Sequence, residues 1–269
     1  MRIQTTPAEH EARRLDSDHL ADAVAAIKED GFVILGGVVA TSTLDAIKPK
    51  LDEDTAELRR RGRWGGAGQK PGHLQQAMPR SRQHIHPDIV TNPLIIQVTA
   101  AILGEGLHLH LYNGNTNLPG SEEQPLHRDH EHLFPDCIHP TISIVVNISP
   151  VDVDETNGAT EIWPGTHLVP GPGRVSECDE QARREVVPPV RAITRKGDAV
   201  LRDMRLWHRG VPNRGTEARH MIAMAHSRWF YVRDRTIAVT QDAEHAFDDE
   251  VLTTLVRIVP DDYDYLSAR

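Results

Sequence analysis

The row Leu107, Leu109, Leu111, Asn113, Asn115 and Asn117 constrains this chain more than any other feature. In an extended strand residues i and i+2 share a face, so the spacing predicts one face that begins apolar and turns to amides. A core-facing row that changes in this way belongs to a core that opens into a polar pocket. The competing reading takes the Asn residues as turn formers after a shorter strand. More strands follow. Thr141 to Ile148 carries the strongest strand signal, and Ala159 to Trp163, Ala199 to Leu201 and Arg219 to Phe230 are expected as further strands. Thr156-Asn157-Gly158, Lys196-Gly197-Asp198 and Val211 to Gly215 supply turns between them.

The preceding segment is helical in pattern. Asp16-Ser17-Asp18 caps a helix that ends near Gly31, Thr41-Ser42-Thr43 caps a second, and Asn92-Pro93 opens a third that stops at Gly104. Gly31 to Leu35 reads as a short buried strand. Gly62 to His86 has no periodicity and is expected as a functional loop, and the Pro/Gly-rich, charged insertion 170–187 as a lid. One domain over residues 1–269 accounts for this order: N-terminal helices over about 16–104, a β core over about 105–232 and a helical tail over about 233–269, with an apolar helix near Val251 to Ile258.

Thirty basic against thirty-nine acidic residues leave a net charge of -9, which disfavours nucleic acid as a partner. Met1 to Leu20 has no apolar stretch of the secretory kind, and no run of about 18 apolar residues predicts a membrane span. Only Cys137 and Cys178 are present, too few for a disulfide framework, so a cytoplasmic location is expected. Nothing in the chain separates a monomer from a homodimer.

Sixteen histidines make metal binding worth testing. His127-Arg128-Asp129 puts an imidazole and a carboxylate on one face of an extended segment. The second such pair, His86-Pro87-Asp88, sits at a helix start, where Asp88 belongs to the turn. His130 and His132 read as surface or substrate-facing residues. His208 ends a predicted strand and supplies a third ligand. Two imidazoles and one carboxylate leave coordination positions open, which suits an oxygen-activating non-haem Fe(II). Zinc is the alternative, as a four-coordinate site with a water nucleophile, giving a hydrolase. Arg219 alternates with Met221, Ala223 and Ala225 and is expected to point inward, on a strand that pairs beside that of His208. A buried guanidinium needs an anion, either an internal carboxylate or a bound dicarboxylate. His127-Arg128-Asp129 is not a kinase catalytic loop, because the Leu and Asn that should follow are missing.

His127-x-Asp129, Asn157-Gly158-Ala159-Thr160 running on to Pro164-Gly165-Thr166-His167, then His208 with Arg219 eleven residues later, resemble the phytanoyl-CoA dioxygenase family over about residues 15–230. The resemblance implies a double-stranded β-helix (jelly roll, cupin-like), mainly β with flanking helices. It also implies a dioxygenase using Fe(II), O2 and 2-oxoglutarate. His127, Asp129 and His208 would hold the metal and Arg219 the distal carboxylate of 2-oxoglutarate. Thr160 stands in place of Leu, Thr166 in place of Ser, and Gly210 in place of a hydroxyl residue, so Thr160 and Asn115 are expected to complete the cosubstrate site. Asp129 disfavours halogenation, since the carboxylate fills the halide position. Gln69, His130 and Trp163 are expected to touch a small-molecule substrate. Hydroxylation with release of succinate and CO2 is the expected outcome, and desaturation, cyclisation or epimerisation the alternatives. A non-catalytic cupin-like module that binds the same metal and anion is the remaining reading.

Overall fold

The computed structural model describes residues 1–65, 70–134, 136–171, 173–231 and 235–267. Strand β1 (Arg2–Gln4) and helix α1 (Pro7–Ala12) open the chain. Asp16 accepts hydrogen bonds from the backbone of Asp18 and His19 and so starts α2 (Ser17–Asp30), which Gly31 ends at φ 83°. There follow β2 (Phe32–Gly36), α3 (Thr41–Arg60), β3 (His73–Gln76), α4 (Pro87–Val90) and α5 (Pro93–Leu103). The expected loop 62–86 therefore contains a strand, β3, which has one apolar residue and no β-branched one. Asp88 lies in the first turn of α4, as a helix start requires.

The β half consists of β4 (Leu107–Asn117), β5 (Ser143–Ile148), β6 (Glu161–Ile162), β7 (Val190–Arg191), β8 (Ala199–Asp203), β9 (His208–Arg209) and β10 (Arg219–Arg228). A helix, α6 (Glu177–Val186), interrupts this run. The large sheet is ordered β1-β2-β8-β5-β10-β4, and a smaller one β7-β6-β9. Ile34 and Val200 of the large sheet pack with Ile162 and Leu206 on the side of the small one. Val33, Leu35, Ile144, Val146, Leu201 and Met224 turn the other way, into one core with α2, α3 and α5. This is the expected mainly β jelly roll with helices on its outer face.

The amide row is part of the strand, so the Asn residues do not form a turn. The faces, however, divide differently from the simple alternation. Ala225 pairs with Leu111 and His226 with Leu109, which leaves His110 as an extra residue. Such a bulge reverses the side on which later residues emerge. Leu107 and Leu109 accordingly join Tyr112 in the core beneath the helices, whereas Leu111, Asn113 and Asn115 face the inside of the jelly roll.

The expected helical tail is corrected. Residues 237–258 contain β11 (Ile237–Val239), β12 (Leu252–Thr254) and β13 (Val256–Ile258), with a 3-10 helix at Gln241–Phe247. β13 pairs with β11, and β12 with the end of β4. The bare edge of β4 offers backbone hydrogen bonds that outweigh the helical spacing of so short a segment. Among the described residues no helix is long and apolar enough to cross a membrane.

His226, at the bulge, is fully buried against α5, with Nδ1 3.0 Å from the Thr99 hydroxyl. Burial pushes its pKa down to about 3. The unfolded chain takes up this proton near pH 6.5 and the folded chain does not, so stability falls as the pH drops below about 6.5, by about 1.4 kcal/mol per unit. In urea unfolding at pH 7 and pH 5, His226→Gln should lose about 2 kcal/mol less than the wild type over that interval.

Candidate active site

His127 and His208 are 81 positions apart, and the backbone makes them neighbours. The amide of each donates to the carbonyl of the other, at 3.1 and 2.9 Å. Their ring centroids lie 4.4 Å apart. Each ring is oriented by its own chain: Nδ1 of His127 donates to the Pro125 carbonyl at 2.8 Å, and Nδ1 of His208 to the Leu206 carbonyl at 3.0 Å. With the proton fixed on Nδ1, both Nε2 lone pairs are left for a metal. Asp129 Oδ1 is 3.8 Å from Nε2 of His127 and 3.6 Å from Nε2 of His208. Its backbone amide is held by the Met204 carbonyl at 3.0 Å.

The turn that carries Met204 and Leu206 is itself braced. Asp203 and Arg205, both buried, form a two-point ion pair at 2.9 and 2.7 Å, and Arg205 donates on to the His139 carbonyl. One turn thus places the carboxylate and the tautomer of His208 together.

Arg202, on β8, is a site residue that sequence reading missed. Its Nη2 donates to Asp129 Oδ2 at 2.6 Å, which leaves Oδ1 to face the two histidines. Burial alone would raise the Asp129 pKa, but Arg202, His208 and His127 outweigh it and hold the carboxyl well below the usual range. Burial, reinforced by the Arg202 charge, pushes His208 down to about 3, so its imidazole is neutral at physiological pH. The Asp129 side chain is still 30% exposed, because it faces a cavity of about 490 Å³.

That cavity is lined by all three candidate ligands and by Asn113, Asn115, Thr160, Arg202 and Arg219. Arg219 is inward, as expected, but its strand does not pair beside that of His208. β10 lies between β4 and β5 in the large sheet, and β9 pairs with β6 in the small one. The two residues therefore reach the cavity from opposite sheets. Arg219 Nη2 donates to the Gly158 carbonyl at 3.0 Å, Nη1 lies 3.7 Å from Met221 Sδ, and Nε has no partner. Burial lowers its pKa to about 10, which leaves it a cation. Among the described residues no carboxylate pairs with it. Nη1 of Arg202 and Nδ2 of Asn147 are likewise buried and unpartnered, and both residues line a small side cavity of about 20 Å³ that Arg219 and Thr160 share. Three buried donors around one hollow beside a metal triad fit a bound anion.

Two glycines of the motif have steric reasons. Gly158 has φ 86°, and a Cβ there would come within 2.4 Å of Asn117 Nδ2. A Cβ at Gly210 would lie 2.7 Å from both Gln124 Oε1 and His73 Cε1, and the Gly210 amide donates to that Oε1 at 2.8 Å. Gln124 and His73, both on the cavity wall, fill the place of the expected hydroxyl residue.

The expected substrate contacts are not brought together. Trp163 is fully buried against Leu126 and Trp207, its indole N–H donates to Glu161 Oε1 at 3.1 Å, and it does not line the cavity. His130 turns its ring edge to Tyr231, with ring centroids 4.9 Å apart, and also lies off the cavity wall. Gln69 falls outside the described residues. Among the described residues the insertion 170–187 contributes nothing to the cavity wall: Gly173 to Val175 run beside Leu126 to Arg128, and α6 packs with Arg184 4.9 Å from the Trp163 ring centre and Glu180 paired to Arg209.

A model of the family described as phytanoyl-CoA dioxygenase (PhyH) matches residues 27–221. The dioxygenase trt7 of Aspergillus terreus is 27% identical over 213 residues, 76% of this chain and 71% of that protein. Among solved structures, the non-haem α-ketoglutarate-dependent epimerase SnoN of nogalamycin biosynthesis superposes with a TM-score of 0.58 at 22% identity, over 79% of this chain and 82% of its own. The carbocyclase SnoK of the same biosynthesis does so with 0.61 at 19% identity, over 80% and 84%.

The burial of Trp163 makes a distinct prediction. Trp163→Ala should lower stability to chemical denaturation by about 3–5 kcal/mol, the cost of emptying a core aromatic site. The conservative Trp163→Phe should restore most of it.

Proposed function

The chain belongs to the phytanoyl-CoA dioxygenase (PhyH) family, and on that premise we propose that His127, Asp129 and His208 hold Fe(II), that Arg219 holds 2-oxoglutarate, and that the enzyme hydroxylates an unactivated C–H bond of a small-molecule metabolite. The observation that carries this reading is the pair of buried guanidiniums, Arg202 and Arg219, beside a triad whose ligating atoms all lie within 4.8 Å of one another. A dianion with one carboxylate near Arg219 would satisfy donors that the protein itself leaves unpaired. When bound, Fe(II) with oxygen and 2-oxoglutarate supplies the oxidation, and the cosubstrate leaves as succinate and CO2.

The residues of this chain do the positioning. The Nδ1 bonds of His127 and His208 fix the donor tautomer, and Arg202 confines Asp129 to ligation through Oδ1. Asn113, Asn115 and Thr160 offer polar contacts around the anion, while Leu111, Val145 and Ala223 give the cavity an apolar side for the substrate carbon. The epimerase and carbocyclase neighbours share the fold, and hydroxylation is the outcome that fits the family.

Anaerobic addition of Fe(II) and 2-oxoglutarate should produce the metal-to-ligand charge-transfer band in the wild type. Asp129→Ala should abolish it, and its persistence in a combined Asp129→Ala and His208→Ala protein would overturn the assignment. Arg219→Met should raise the 2-oxoglutarate concentration for half-saturation by on the order of tenfold to a hundredfold, as loss of a charge-assisted pair does, with Fe(II) binding retained. Arg202→Met should instead weaken Fe(II) itself by about 10–100-fold in a competition titration, the usual effect of losing a partner to a ligand.

A further inference from the structure

A second cavity, of about 600 Å³, adjoins the first, and Leu111, Asn113 and Arg235 line both. Its place follows from the sheet edge. On the side of β4 away from β10, β3 covers residues 114–117 and β12 covers residues 107–109. Among the described residues no strand pairs with residues 110–113 on that side, and all four line the second cavity. The gap is thus a side door from the inside of the jelly roll to the space beneath the C-terminal segment.

The lining is cationic in a chain whose net charge is -9. Arg80, Arg235 and Arg257 all contribute, and among the described residues none of them has a carboxylate within ion-pair distance. Arg80 is half-buried and its Nε is shut off from water without a hydrogen-bond partner. Arg235 and Arg257 are exposed. Two further polar groups point to a ligand: Nδ1 of His110 and the hydroxyl of Tyr112 are both buried and unpartnered, in residues 8% and 3% exposed. Leaving a buried donor unpaired costs about 1–3 kcal/mol, and an unpaired buried guanidinium more.

We propose that this chamber binds the anionic end of the substrate, a carboxylate or a phosphate, through Arg80, Arg235 and Arg257, while the body of the molecule passes Leu111 to the oxidising centre. The proposal rests on the reading of His127, Asp129 and His208 as that centre, and it names the class of substrate: an anion that carries its oxidisable carbon at the end remote from its charge. The anion is distinct from 2-oxoglutarate, whose carboxylate belongs to Arg219.

The test uses three probes of equal chain length, octanoate, octyl phosphate and the neutral octanamide. They are titrated calorimetrically into anaerobic protein saturated with Fe(II) and 2-oxoglutarate. Both anions should bind at least about tenfold more tightly than the amide, the factor that one charge-assisted hydrogen bond supplies. Arg235→Gln and Arg257→Gln, both at exposed positions, should each weaken the anions by about fivefold to tenfold and leave the amide unchanged. Equal binding of anions and amide, no binding of the anions, or anion affinity unchanged in the double variant overturns the proposal. The charge-transfer band recorded in the same samples separates the two readings. A missing band in the wild type overturns the iron site and with it the chamber's role in substrate binding, whereas a normal band without anion preference overturns the chamber alone.

Discussion

Two backbone hydrogen bonds between His127 and His208 hold the site together. They join the loop after β4 to the short strand β9, and every other feature of the metal triad is arranged about that pairing. The side chains need no long reach: each ring is turned by a carbonyl two residues upstream, so ligand geometry is written into local backbone shape. The Asp203–Arg205 pair then fixes the turn from which both the Asp129 amide and the His208 ring are held. A buried ion pair of this kind adds little net stability, because desolvation offsets its attraction. Here it fixes a conformation.

Charge in the interior is distributed with the same economy. Arg202 is compensated by Asp129, and that pairing keeps the carboxylate ionised whether or not a cation is near. Arg219 has only a carbonyl and a thioether. The protein thereby commits one end of Arg202 to its own ligand and leaves Nη1 of Arg202 and the Arg219 guanidinium for an incoming anion. The inside of the jelly roll changes accordingly along its length, from Ile34, Val200 and Ile162 at one end to amides and guanidiniums at the other.

Much of this was legible in the chain. His127, Asp129, His208 and Arg219 carry a motif whose spacing is set by chemistry, and the helices of the first hundred residues announce themselves by caps and periodicity. Arg202 was not legible, because Arg202-Asp203-Met204-Arg205 reads as a charged turn leaving a strand, and only tertiary structure shows that all three of these charges are buried against partners. Trp163 misled through its nearness to the motif in sequence: its indole faces Leu126 and Trp207, on the far side of the strand pair from the cavity. The tail misled because three-residue strands have no periodicity of their own and take their form from the edge they cover. His110 hid its bulge for a related reason, since an extra residue is visible only against its partner strand.

That bulge has a consequence for how sequence change is tolerated along β4. Before His110, Leu107 and Leu109 answer to volume, and an isosteric apolar residue serves in their place. After it, the residues of the inner face answer to hydrogen bonding and reach, and volume counts for less. A single strand thus carries two separate rules of substitution, divided at one residue. Deleting His110 would straighten the strand without moving either set, because Leu109 and Leu111 already pair with the consecutive residues His226 and Ala225 and lie on opposite faces. The inner face of the second half is thus answerable to what the cavity holds, and Leu107 and Leu109 to the core they share with α5.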